Sequence, residues 1–261
     1  MSPPRPLVTP DPWGELRAFT RARIALGRAG GSLPTAELLA FSAAHAAARD
    51  AVWSELDRDR LAADLEPAGL GAVRVQSQAV DRATFLQRPD LGRRLDPACE
   101  PVLAAARPER GCDLALIVAD GLSATAAQRH APALVAGLAG RLRARGFRLA
   151  PAVLAVQARV ALEDPIGVDL GARAALILLG ERPGLGSPDS LGAYLVLGPR
   201  AGNTDAQRNC VSGIRPQGLP VEQAAELLEW LVAEALRRGL SGVALKDERA
   251  ALAVRAVSEL P

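Results

Sequence analysis

The chain has 261 residues, of which 49% are apolar and 23% charged, a balance typical of a folded globular protein. A net charge of +2 and an aromatic content of 3% are too low for a protein that binds nucleic acid through basic patches or base stacking. No apolar run reaches the length of about 18 residues that a transmembrane helix needs. Three cysteines without a CxxC pair disfavour a zinc site and a disulfide framework, and we expect a cytoplasmic protein.

Residues 1–110 are predicted to form a helical N-terminal region. Pro12 follows an aspartate, a pair that often begins a helix, and this predicts a helix over 12–28. A second helix of about twenty residues is expected to begin near Thr35, in an alanine-rich stretch. The one clean alternation of apolar and polar residues in this region, at 73–76, predicts a strand.

Residues 111–261 are predicted to form an α/β domain. Short continuous apolar runs predict strands at 114–119, 152–156, 174–179 and 193–197. Helical periodicity predicts a helix that begins after Ser123 and a second helix over 221–238, which Gly239 ends. This alternation is typical of a parallel sheet covered by helices on both faces. The predicted fold is therefore a Rossmann-like parallel α/β sheet with flanking helices, preceded by the helical region.

Ligands bind open parallel sheets at the loops that follow the carboxyl ends of the strands. Three such loops, 120–123, 157–160 and 180–184, are polar directly after an apolar run. They predict a binding site at that edge, although ordinary surface turns account for the same pattern.

The usual catalytic and nucleotide-binding motifs are absent from the sequence. Gly184-Leu185-Gly186 follows a strand, but Asp189 stands where a dinucleotide-binding motif has its third glycine. His130 is expected on the surface or in a capping role, in the middle of a helix. Glu163-Asp164 is more typical of a helix N-terminus than of an acid–base pair. A binding surface without catalytic groups favours a binding module or one subunit of a shared active site.

Several ordered stretches resemble one family, the small (light) subunits of ethanolamine ammonia-lyase. They are RARIALGR at 21–28, GSLPT at 31–35, RPDLGR at 88–93, ADGLSA at 119–124, GERPGL at 180–185 and RNCVS at 208–212. The resemblance covers nearly the whole chain except its two ends. The chain departs from the family pattern at Trp53, where histidine is expected, and the loop 202–207 varies in length among relatives.

The resemblance implies that the chain is one subunit of a hetero-oligomeric enzyme that uses adenosylcobalamin to convert ethanolamine to acetaldehyde and ammonia by radical elimination. In this family a large subunit carries the substrate and most polar catalytic groups. The small subunit covers the cofactor at the interface and is inactive alone, so no catalytic residue and no metal ligand are expected here. Whether the host packages the enzyme in a bacterial microcompartment stays open.

The resemblance also carries three cobalamin-binding positions over to Val160, Glu181 and Cys210. An apolar residue at 160 suits the edge of the corrin, and a carboxylate at 181 suits its amide arms. Cys210 is small and soft enough to pack against the cofactor. The alternative reading is a non-catalytic α/β protein that binds a nucleotide or another metabolite at the same strand ends.

Overall fold

The computed structural model describes residues 7–249, which form a mixed α/β fold around one six-stranded sheet. Its strands are β1 (Ala72–Gln76), β2 (Cys112–Ala119), β3 (Ala152–Val156), β4 (Ala172–Gly180), β5 (Leu191–Leu197) and β6 (Arg208–Ile214). Its helices are α1 (Thr35–Trp53), α2 (Arg58–Leu65), α3 (Arg82–Gln87), α4 (Glu100–Ala106), α5 (Ala124–Ala144), α6 (Glu163–Asp169) and α7 (Val221–Arg238). None of the helices in the described part of the chain is both long and apolar enough to cross a membrane.

The strands lie in the order β1-β3-β2-β4-β5-β6. The first four are parallel, whereas β5 runs antiparallel to β4 and β6 antiparallel to β5. The prediction of a mainly parallel sheet with flanking helices is confirmed. It did not include β6 or the reversed direction of β5. The division of the chain at residue 110 stays a prediction, and β1, which lies before that point, pairs with β3 at the sheet edge.

Each face of the sheet has its own apolar core. Leu116, Val118 and Leu176 point to the face that α5 and α7 cover. Ile117 and Ile177, one position along their strands, point to the opposite face, which α4 and α6 cover. All eight residues of β2 are buried, which explains why its sequence is continuously apolar rather than alternating.

Helices α5 and α7 begin or end at the capping residues predicted from the sequence, and both bury an apolar face. The Ser123 hydroxyl accepts a hydrogen bond from the Ala126 N–H at 3.2 Å and caps α5, as predicted. Helix α7 begins and ends as predicted, and Gly239 adopts the left-handed conformation that ends it, with φ of 73°.

The predicted helix over 12–28 is wrong. Only a short 3₁₀ turn, Gly14–Ala18, forms there, and none of its residues is buried. The left-handed backbone at Ala25, with φ of 50°, is incompatible with a continuing helix. The chain pairs instead with the preceding segment, since Thr9 and Arg28 exchange two backbone hydrogen bonds. A helix start signal does not suffice where no apolar face is buried.

Candidate functional site

The site lies at the sheet edge where the four parallel strands end. The chain passes from β2 through α5 to β3 on one side, and then through α6 to β4 on the other side of β2. This reversal creates a crevice at the carboxyl ends of β2 and β4, the usual ligand position in such sheets. A hollow of about 390 Å³ opens there, lined by Gly121, Leu122, Arg159, Val160, Leu179, Gly180, Glu181, Arg182 and Tyr194. The three loops predicted from the sequence therefore meet in one place.

Asp120 fastens the loop after β2 to the loop after β3. Its carboxylate accepts hydrogen bonds from the backbone N–H groups of Gln157, at 2.8 Å, and Ala158, at 3.1 Å. Arg82 forms an ion pair with the same carboxylate at 3.4 Å and donates to the Gly121 carbonyl at 2.8 Å. Burial raises the pKa of Asp120, and the two N–H groups oppose that rise. Asp120 therefore has a structural role, holding the two loops together.

Two glycines allow the loops after β2 and β4 to touch. A Cβ atom at Gly121, where φ is 53°, would lie 2.3 Å from the Gly180 carbonyl oxygen. A Cβ atom at Gly180 would lie 2.0 Å from the Ser123 carbonyl oxygen. Larger residues would separate the two loops and widen the crevice between the strands.

Glu181 is a half-buried carboxylate in the wall of the hollow. The Ser190 hydroxyl donates to its Oε2 at 2.5 Å, and the Gly213 N–H donates to its Oε1 at 3.2 Å. Ser190 directly precedes β5 and Gly213 lies on β6, so the hairpin β5–β6 fixes the orientation of this side chain. Each carboxylate oxygen keeps free lone pairs for a ligand donor.

Val160 begins a 3₁₀ turn, Val160–Leu162, that leads directly into α6. It lines the hollow and also packs against the core beneath α6. Its neighbour Arg159 lies in the same wall, where the guanidinium group stacks on the Phe85 ring at 4.2 Å.

Cys210 lies on β6 directly opposite Tyr194 on β5. Tyr194 lines the hollow, and the strand pairing places it next to Cys210. Cys210 itself does not line the hollow, and the residue is exposed. Partial desolvation of its sulfur raises the pKa of the thiol, which is therefore protonated at neutral pH.

A buried cluster of charged residues links β6 to α6. Arg208, two residues before Cys210, donates hydrogen bonds to the carboxyl groups of Glu163 and Asp164 in the first turn of α6. Asn203 donates to Asp164 at 2.7 Å. Burial is the main cause that raises the pKa of Glu163 well above its ordinary value. The prediction of a helix N-terminus at 163–164 is confirmed.

Of the three site residues carried over by the resemblance, Val160 and Glu181 line the hollow, and Cys210 adjoins it through Tyr194. Their role in cofactor binding stays a prediction. Sequence reasoning did not single out Arg159, although it lies in a predicted loop, or Tyr194, the one tyrosine of the chain.

Two minor expectations meet different outcomes. The prediction that His130 lies at the surface or caps a helix is wrong, because the residue is buried on α5 with its Nε2 3.3 Å from an oxygen of Asp189. The Gly184-Leu185-Gly186 segment leads into strand β5 instead of a helix, so it has no helix N-terminus to offer a pyrophosphate.

Comparison with known proteins agrees with the resemblance. Residues 10–246 match the family described as ethanolamine ammonia-lyase light chain (EutC). The chain belongs to this family. An ethanolamine ammonia-lyase small subunit from Azotobacter vinelandii is 56% identical over 92% of this chain and 90% of its own length.

Other ethanolamine ammonia-lyase small subunits are similarly related. The protein of that name from Ralstonia nicotianae is 55% identical over 92% of this chain and 90% of its own length. The one from Bradyrhizobium diazoefficiens is 51% identical, with 97% of both chains covered. The family is that of a lyase subunit, and the term small subunit implies a larger partner chain.

Proposed function

We propose that this chain is the small subunit of an adenosylcobalamin-dependent ethanolamine ammonia-lyase and that its hollow holds one edge of the cofactor against a large catalytic subunit. The observation that carries the proposal is the meeting of the three strand-end loops, with Val160 and Glu181 in one hollow and Cys210 beside it, in a member of this family.

The lining of the hollow fits a corrin edge. Leu122, Leu179 and the Tyr194 ring provide apolar surface, and Glu181 provides an acceptor for amide N–H groups. At about 390 Å³ the hollow is at the small end of ligand sites, so it can enclose only part of a molecule as large as cobalamin. The remainder would lie outside this chain, as expected of a cofactor held between two subunits.

When bound, the cofactor would supply the radical chemistry of the elimination. This chain would contribute position and exclusion of water. Glu181, held by Ser190 and Gly213, would accept hydrogen bonds from the amide arms, and Val160 would pack against the ring edge. Cys210, as a neutral thiol, would contribute soft contact and no metal ligation. We assign no catalytic residue to this chain and expect it to be inactive alone.

The large subunit also accounts for an unusual surface. Helix α1 buries only Ala51 and exposes Leu38, Leu39, Phe41 and Trp53. At 3.6 residues per turn these four lie within one half of the helix circumference, on the side away from Ala51. Beside them an apolar groove of about 650 Å³ separates α1 from the loop around Leu185. We propose that the large subunit covers this surface.

The second candidate is a non-catalytic nucleotide- or metabolite-binding protein. The position of the hollow at a strand-order reversal supports it equally well. The glycine-rich segment at 184–186, however, offers no helix N-terminus for a phosphate. Binding of a nucleotide by the lone chain, with no response to cobalamin, would favour this candidate.

The test is reconstitution. The purified chain is mixed with the large subunit of a relative, adenosylcobalamin and ethanolamine, and ammonia release is measured. We expect release only when all components are present, in a complex that we expect to act in the cytoplasm. Full activity of the isolated chain, or ammonia release from the large subunit without this chain, would contradict the proposal.

A further inference from the structure

Arg159 is a rigidly held cation in the wall of the hollow. Its backbone N–H donates to the Gly92 carbonyl at 2.8 Å, and its Nη2 donates to the Phe85 carbonyl at 3.2 Å. Its guanidinium carbon lies 4.2 Å from the centre of the Phe85 ring. Gly92 makes this packing possible, since a Cβ atom there would lie 2.9 Å from the Arg159 side chain. The group is therefore preorganised before any ligand arrives.

The charge of Arg159 has no counterion within residues 7–249. Asp120, the acid whose charge acts on Arg159, is paired with Arg82, whose own guanidinium lies 4.8 Å from the same Phe85 ring. The Nε of Arg159 is buried and has no hydrogen-bond partner in the described part of the chain. Burial lowers the pKa of Arg159, and the charges of Arg82 and Arg93 lower it further. Positive charge is thus in excess at this wall.

We infer that Arg159 binds a phosphate group of the ligand that occupies the hollow. The inference rests on the proposed function, because adenosylcobalamin carries one anionic group, the phosphodiester of its nucleotide arm. A desolvated guanidinium among other cations gains most from an anion, and its fork of N–H donors matches phosphate oxygens. The neutral amide arms of the corrin would leave the excess charge uncompensated.

Glu181 and Arg159 then divide the ligand between them. The carboxylate attracts amide N–H groups and repels phosphate, whereas the guanidinium attracts phosphate. Charges of both signs in one hollow of about 390 Å³ favour one orientation of a ligand that carries both groups. Arg159 would therefore select corrinoids with a phosphate over those without one.

The test compares two ligands that differ by the phosphate, adenosylcobinamide phosphate and adenosylcobinamide. Their dissociation constants for the complex with the large subunit are measured by equilibrium dialysis, with the corrin absorbance as readout. We expect the unsubstituted complex to prefer the phosphate form by about tenfold to hundredfold, the range for hydrogen bonds to a charged group. Arg159→Gln should abolish the preference, and Arg159→Lys should retain part of it.

Arg94→Gln serves as the matched control, since it removes one exposed arginine charge outside the hollow, and it should leave the preference intact. An equal fall in affinity for both corrinoids in Arg159→Gln, or an unchanged preference for the phosphate form, would overturn the inference. Either result would leave the proposed function in place. Failure of both corrinoids to bind the unsubstituted complex would overturn both. Binding of AMP that depends on Arg159, without corrinoid binding, would indicate that the hollow binds a nucleotide phosphate and would overturn the corrinoid assignment.

Discussion

The strand-end edge of the sheet and the N-terminal segment, residues 7–54, differ in how much of their apolar surface is buried. Around the hollow nearly every apolar side chain of β2 and β4 is buried, and polar groups are bonded across loops. In the N-terminal segment Trp13, Phe19 and Leu39 are among many exposed large side chains, and only Ala51 of α1 is buried.

The contrast separates what the chain completes alone from what it leaves to a partner. The loops at the hollow are fixed by Asp120, by close glycine contacts and by the buried Arg208 cluster, so ligand groups there are preorganised. The apolar face of α1 gains stability only when another surface covers it. We therefore expect substitutions at the strand-end edge to impair folding or ligand binding. Substitutions in the N-terminal segment should impair assembly with the partner.

The largest effect is expected for Gly180→Ala. The new Cβ atom would lie 2.0 Å from the Ser123 carbonyl oxygen, and backbone must move to admit it. We expect the free energy of unfolding, measured by urea denaturation, to fall by about 3 kcal/mol, the upper end of the usual range for overpacking. Gly140→Ala is the control, because an added Cβ atom there meets no neighbour within 4 Å. Equal stability of the two variants would contradict the tight loop contact.

Leu39→Gln should separate folding from assembly. Leu39 is 64% exposed, so the free energy of unfolding of the isolated chain should change by less than about 0.5 kcal/mol. Association with the large subunit, measured by calorimetry, should weaken by about tenfold or more. The control is Leu134→Gln in the core of α5, which should destabilise the chain itself. Unchanged association of the Leu39 variant would remove α1 from the proposed interface.

Glu163→Gln should alter the pH dependence of stability. The raised pKa of Glu163 means that its native state binds a proton more tightly than its unfolded state. Its contribution is complete below about pH 4.5 and is lost as the pH rises through the native pKa, with a slope of at most about 1.4 kcal/mol per pH unit. The variant should show a flatter profile above about pH 4.5 in urea denaturation.

Glu234→Gln provides the control with the opposite sign. Arg237 and Arg238 lower the pKa of Glu234 to about 2. Its contribution is therefore present above about pH 4.5 and is lost only as the pH falls through the native value. Parallel profiles for Glu163→Gln and the unsubstituted chain would show that Glu163 does not hold its proton in the folded state.

Most of the fold was predictable because its strands are buried on both faces. The continuous apolar runs of β2 and β3 and the amphipathic stripe of α7 are strong local signals. Strand β6 was missed because it lies at the sheet edge, with only three of its seven residues buried. The reversed direction of β5 was not predictable, since an apolar run does not encode strand direction.

The site was predictable as a set of loops but not as a set of contacts. The carboxyl ends of parallel strands share one edge, so the loops at 120–123, 157–160 and 180–184 were expected to be neighbours. The setting of Arg159 depends on Phe85 and Gly92, which come from a distant part of the chain and have no motif of their own. Tyr194 joins Cys210 to the hollow only through the pairing with β6.

The central claim is that the hollow holds a corrin edge, and retention of cofactor by the assembled complex tests it most directly. The complex is loaded with adenosylcobalamin, passed through gel filtration and examined by visible absorption, and its dissociation constant is measured. We predict a corrin spectrum in the protein fraction, retention weakened about tenfold or more by Glu181→Ala, and partial rescue by Glu181→Gln at unchanged stability. A complex without corrin absorption, or one that retains it equally in all three forms, would contradict the account.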